Sequence, residues 1–142
     1  MVGELVYQYY IEQNLSCVQT VMRVANEQWN LKLRENSYTL MRGHDKMPGD
    51  PGDRECGALY SAVAAISVLL AGSANSCLED ELAHILIEAF KNKYGLTKCF
   101  SIKMKHAPGD RRCFSVLVHI METLAELMEI IEVTDKTSAV LR

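Results

Sequence analysis

The sequence predicts an all-α fold: a compact single-domain helical bundle of about five to six helices. Three observations carry this. Apolar residues recur at helical spacing along most of the chain. No stretch sustains the period-two alternation of a half-buried strand. And 142 residues, 49% of them hydrophobic, supply the core of one ordinary domain without disulfide or metal staples.

The elements follow in order. Val2, Leu5, Val6 and Tyr9 form a first apolar stripe. A second helix opens at Ser16, set three residues before Gln19 as in a capping box, and carries Cys17, Val21 and Val24 to about Trp29. A short helix over Ser37 to Arg42 stops at Gly43, and 43–53, with its two Pro-Gly pairs, is a loop. Residues 54–71 are almost wholly apolar and predict a central helix buried on all sides. Ser76 and Glu79 repeat the capping-box spacing ahead of a helix that buries Leu78, Leu82, Ile85, Leu86 and Phe90 and ends near Tyr94-Gly95. Residues 96–109 are irregular. A last helix runs from about Arg111 to Val133, with Glu122, Glu126 and Glu129 on a solvated side, and a loose tail begins at about Thr134.

Charge and hydropathy exclude several function classes. A net charge of −3 lacks the positive field that phosphate backbones require, so nucleic acid is not the expected partner. The longest apolar stretch, Ala62 to Ala71, is too short to span a bilayer. The first residues show no basic region before an apolar run, and the expected location is the reducing cytoplasm.

The chemistry of the sequence lies in its five cysteines. Pro51-Gly52-Asp53-Arg54-Glu55-Cys56 and Pro108-Gly109-Asp110-Arg111-Arg112-Cys113 agree at five of six positions, each ahead of a long helix. This predicts an aspartate N-cap with cysteine as the third helical residue. There the helix dipole and the flanking arginine favour thiolate, lowering a thiol pKa from about 8.5 toward roughly 3.5 to 7.5. The alternative is two ordinary helix starts with cysteine as a small apolar residue. Cys17 after Ser16 and Cys77 after Ser76 would also occupy first turns, while Cys99 falls in the loop Thr97 to Phe100. The segment 98–113 is locally basic, which suits a thiolate or a cluster of negative charge as well as it suits a solvated loop.

Other arrangements are missing. No Cys-x-x-Cys pair, haem-attachment motif, glycine-rich phosphate loop or serine nucleophile elbow occurs. His44 and His106 precede the two repeat copies and read as exposed, with ligand or base as the alternative. His84 and His119 read as helix-surface or hydrogen-bonded core residues.

These residues resemble a known family, the redox-active proteins named for their C_GCAxxG_C_C cysteine pattern. Leu15-Ser16-Cys17-Val18-Gln19 stands for the first cysteine segment and Cys56-Gly57-Ala58-Leu59-Tyr60-Ser61 for the Cys-Gly-Ala-x-x-Gly motif. Tyr94-Gly95-Leu96-Thr97-Lys98-Cys99 stands for the third segment, and Cys113 opens the C-terminal helix. Ser61 replaces the motif's last glycine, a charged Pro-Gly-Asp loop replaces a glycine-rich approach, and Cys77 has no counterpart. The resemblance implies a mostly helical redox protein whose chemistry uses Cys17, Cys56, Cys99 and Cys113, with electron transfer as one form of it.

Three functions remain open on the sequence. The first is thiol–disulfide chemistry at those four cysteines with an unidentified redox partner. The second makes the same four cysteines metal ligands, for an iron–sulfur cluster before zinc. The third is a helical interaction module or homodimer with buried cysteines, in which Tyr9, Tyr10 and Trp29 are candidate exposed contacts.

Overall fold

In the computed structural model of the chain, residues 2–42, 55–73, 75–95, 97–99 and 113–141 are described, with side chains as far as Val133. The regular structure among them is helical. It comprises α1 (Val2–Val6), a π-helical stretch Tyr7–Glu12, α2 (Cys17–Trp29), α3 (Glu35–Met41), α4 (Gly57–Leu70), a 3₁₀ turn Ser76–Leu78, α5 (Glu79–Tyr94) and α6 (Phe114–Leu141). One isolated antiparallel bridge, Glu55 to Lys98, is the exception. No helix among the described residues is long and apolar enough to cross a membrane.

The expected helices are present, with corrections that come from local chemistry. Helix α4 begins at Gly57, not at residue 54, and Asp53 lies outside the described residues. It is central, packing against α2, α5 and α6, but it is not buried all round, because Tyr60 and Val68 reach solvent. Its buried face carries Ala58, Leu59, Ala62, Ala65, Ile66 and Leu70. The small alanines let neighbouring helices approach, and Leu59, Ile66 and Leu70 fill the space that remains.

The capping box at Ser76 does not form. Ser76 lies inside the 3₁₀ turn and α5 starts only at Glu79, whose carboxylate accepts instead from the Ser67 hydroxyl of α4. Glu79, Asp80 and Glu81 then supply the negative charge that suits a helix start. The helix ends at left-handed Gly95, whose N–H bonds the Lys91 carbonyl at 2.7 Å. Leu82, Leu86 and Phe90 are buried as expected, whereas Ile85 points to solvent.

In α6 the stripe of Val116, Leu117, Ile120, Leu124, Leu127 and Ile131 faces the core, and Glu122, Glu126 and Glu129 are exposed. The loose tail expected from Thr134 is instead a helical continuation to Leu141, since no glycine or proline stops the backbone there. The expected 43–53 loop and the start of α6 at Arg111 lie outside the described residues, as do His44 and His106. His84 is exposed. His119 is not a satisfied core residue: its Nε2 is buried with no hydrogen-bond partner among the described residues, and burial holds its pKa below the usual imidazole value.

The N-terminal segment differs most from its expectation. Beyond Val6 the helix widens into the π form, with the Gln13 N–H bonding the Gln8 carbonyl at 3.0 Å and the Leu15 N–H bonding the Tyr9 carbonyl at 3.1 Å. Tyr10 is buried in the core with 2% of its surface exposed, and Tyr9 packs half-buried against the same core while its hydroxyl donates to Glu27. Tyr10 is therefore a core residue and no exposed contact, while Tyr9 and Trp29 are half-buried.

Candidate functional site

Four helix-initiation or loop positions carry the cysteines of interest. Cys17 is the first residue of α2. Ser16 caps that helix, its hydroxyl accepting from the Gln19 N–H at 3.1 Å, and the Gln19 side chain donates to the Tyr38 carbonyl. Cys56 is the N-cap residue of α4, and its carbonyl accepts the first helical bond, from the Tyr60 N–H at 3.3 Å. Cys113 stands likewise before α6, its carbonyl accepting from the Leu117 N–H at 3.1 Å. Both cysteines stand immediately before their helices and not at the expected third helical position, and their backbones differ, Cys56 being extended with φ −67° and Cys113 left-handed. Asp110, like Asp53, lies outside the described residues.

Cys99 reaches the same place by a different route. The Cys56 N–H bonds the Thr97 carbonyl at 2.8 Å, and Glu55 and Lys98 form the isolated bridge, reinforced by an ion pair of 2.7 Å. Strand-like pairing of two residues against two is enough to lay the segment 97–99 along the approach to α4. Burial works to raise the Glu55 pKa, but hydrogen bonds from Lys98 and Thr97 outweigh it and hold the carboxyl below its ordinary value. A carboxyl of lowered pKa stabilises the fold above the unfolded value of 4.5, and that contribution disappears as pH falls through the folded value. The unfolding free energy of the wild-type protein should therefore fall more below pH 4.5 than that of Glu55→Gln, by about 0.5 kcal/mol for a partly exposed pair, read from urea denaturation at each pH. Parallel acid profiles for the two proteins would remove Glu55 from this role.

The result is convergence. Cys17, Cys56, Cys99 and Cys113, from four separate segments, line one cavity of about 30 Å³, closed by Val116 and Leu117 of α6. Cys56 and Cys113 are buried and Cys17 and Cys99 are partly exposed, so the cavity has two thiols at its wall and two nearer its mouth. All four are thiols and none is joined in a disulfide. Cys77 is exposed on the 3₁₀ turn, away from this cavity.

The expected lowering of the thiol pKa is reversed at Cys56. Burial pushes its thiol up from 9.0 to about 12, and negative charge on Cys17 or Cys99 pushes the same way. The N–H groups of Leu59 and Ala58 oppose this, but the Cys56 side chain makes no capping hydrogen bond and burial wins.

Cys113 adopts a left-handed conformation, φ 73°, in which its Cβ crowds the following carbonyl. Strain of this kind collects at functional sites. Cys113→Gly should unfold at higher urea than Cys113→Ala, by about 1 kcal/mol, because only glycine adopts that backbone without penalty. Equal stability of the two variants would mean the turn relaxes when the sulfur is removed.

One participant is not visible in the spacing of the sequence. The Tyr10 hydroxyl lies 3.4 Å from the Cys17 sulfur, in hydrogen-bond contact. Apolar periodicity finds buried positions, but it does not single out this contact between a core tyrosine and a cysteine that starts the next helix.

The arrangement does not suit the metal alternative. Among the described residues, no three His, Cys, Asp or Glu side chains stand close enough together to hold a metal ion. A space of about 30 Å³ takes one or two waters, less than the core of an iron–sulfur cluster. The spacing of the four thiols among the described residues lends no support to the iron–sulfur or the zinc expectation.

Fold and cavity together define a class: an all-α protein that gathers four thiols, three of them from helix starts, around one small space. Comparison with known proteins agrees. Residues 15–127 match the family described as "Putative redox-active protein (C_GCAxxG_C_C)", and the chain belongs to that family. No curated protein and no solved structure matches it significantly. The motif glycine replaced here by Ser61 lies in the buried face of α4, where the serine hydroxyl folds back to donate to the Gly57 carbonyl at 3.0 Å.

Proposed function

We propose that this is a thiol–disulfide redox protein in which Cys17 meets the oxidant and Cys56 completes an internal disulfide. The observation that carries the reading is the shared cavity of Cys17, Cys56, Cys99 and Cys113. Cys17 is the partly exposed member at the start of a helix, where the dipole favours thiolate. Cys56 is buried, protonated and close enough to feel charge on Cys17. Cys99 and Cys113 complete the wall and offer the alternative pairings.

The reaction needs a disulfide-bearing partner, a protein or a small molecule. The Cys17 thiolate attacks one partner sulfur, forming a mixed disulfide and releasing the other sulfur as thiolate. The Cys56 thiol gives its proton to the departing partner sulfur as its own sulfur attacks Cys17. The Cys17–Cys56 bond forms, the mixed disulfide breaks, and two electrons have passed to the partner. Run backwards, the protein is the oxidant. Such a cycle starts from reduced thiols, as the cytoplasm maintains them.

Exposure to glutathione disulfide, followed by trypsin digestion and mass spectrometry without reductant, tests the reading. The expected product is one internal disulfide joining the Cys17 and Cys56 peptides, with the intact mass lower by two hydrogens. Glutathione adducts at Cys77 alone, with the four cavity thiols unchanged, would overturn it.

A further inference from the structure

We propose that Tyr10 is a positioning residue for Cys17, its hydroxyl holding the Cys17 sulfur as thiolate ready for attack. The proposal deepens the redox reading above and rests on it for the importance of Cys17, but it concerns a residue that lies outside the family-matched segment 15–127.

The geometry has three parts. The Tyr10 ring is buried in the main core, so the hydroxyl is delivered from a fixed base and loses little freedom on bonding. The hydroxyl and the Cys17 sulfur are 3.4 Å apart. In the neutral pair either atom can donate, but a thiolate only accepts, so ionisation of Cys17 commits the tyrosine O–H to it and strengthens the bond. The third part is the backbone. Tyr10 lies within the π-helical stretch Tyr7–Glu12, and π-helical turns are uncommon, strained insertions that collect at functional sites. Just after this stretch, Asn14 turns the chain with a left-handed φ of 55°, and Ser16 then starts α2. The two halves of the contact are thus built by one continuous segment of irregular backbone.

The titratable groups facing Cys17 are Tyr10 on its own side and Cys56, Cys99 and Cys113 around the cavity. A charge on any of those three would oppose a second charge on Cys17. Tyr10, in hydrogen-bond contact with the Cys17 sulfur, is able to stabilise the anion without adding charge of its own.

The test is the pH profile of Cys17 alkylation by iodoacetamide, read peptide by peptide in the full chain. Tyr10→Phe keeps the ring and removes the hydroxyl. The inflection for Cys17 should rise by about one pH unit, which is about a tenfold loss of thiolate below the inflection. The exposed Cys77, read in the same digest, should be unchanged. A second probe, 3-fluorotyrosine placed at position 10, strengthens the donor and should move the inflection down, so the test survives if Tyr10→Phe does not fold. An inflection that stays in place with either side chain overturns the proposal.

The two readings fail separately. If the wild-type protein forms the Cys17–Cys56 disulfide and the inflection is unmoved, Tyr10 has no positioning role and the redox reading stands. If the inflection moves and no internal disulfide forms, Tyr10 acts on a thiol whose chemistry is other than the one proposed.

Discussion

At pH 8, Cys56 should be ionised about 1,000-fold less than a thiol of ordinary pKa, and its alkylation should keep rising tenfold per pH unit well beyond pH 9. The factor is the ratio implied by a pKa of about 12 against 9.0. Restricted access would lower the rate equally at every pH, whereas a raised pKa moves the point at which the rise stops. The shape of the profile therefore separates the two causes. If the Cys56 profile levels off near pH 9, burial does not hold the proton and the wall thiol is a nucleophile after all. The sign matters for the mechanism. A thiol that stays protonated cannot begin an exchange, which is why the proposed cycle gives the first attack to Cys17 and the second to Cys56. It also guards against premature oxidation, because thiolate is the species that oxidants attack.

Oxidation should raise the melting temperature by on the order of 10 °C, the second large effect. Joining Cys17 to Cys56 closes a loop of about 40 residues, which in the chain-entropy account stabilises the fold by about 4 kcal/mol. For a chain of this length each kilocalorie is worth roughly 3 °C. The same thermodynamic cycle makes the disulfide in the folded protein harder to reduce than in the unfolded chain, by about 85 mV. Calorimetry of the reduced protein and of the protein oxidised and mapped to that pair gives the answer directly. An oxidised form that melts at or below the reduced one would show that closing the cavity distorts the helices more than the cross-link stabilises them.

The fold was largely legible because most of its helices follow simple rules. The apolar stripe of α6 and the Ser16 cap of α2 can be read from spacing, since a straight helix repeats its buried face regularly. The four cavity cysteines could also be singled out, from a repeated Pro-Gly-Asp-Arg segment and a family pattern. What could not be read were features set by tertiary context. The Ser76 capping box lost to a 3₁₀ turn because Glu79 had a better partner in Ser67. The thiol of Cys56 was expected to ionise easily because helix starts favour anions, yet desolvation at a buried cap outweighed the dipole. Tyr10, expected as an exposed contact, is buried: it stands four residues after Val6 on the same helix face, and a tyrosine's polar hydroxyl does not keep its ring in solvent when a partner such as Cys17 is within reach.

The pairing of Cys56 with Thr97 has a consequence for motion. Among the described residues, the segment that carries Cys99 meets the approach to α4 through a main-chain hydrogen bond, the Glu55–Lys98 ion pair and a hydrogen bond from Thr97 to Glu55. Breaking these few bonds is a local opening, expected at a lower free energy than global unfolding. Each such event uncovers the Cys56 amide proton. Solvent exchange at that one proton therefore counts how often the ring of four thiols becomes a ring of three, and sets the clock for any larger reactant that must enter from that side.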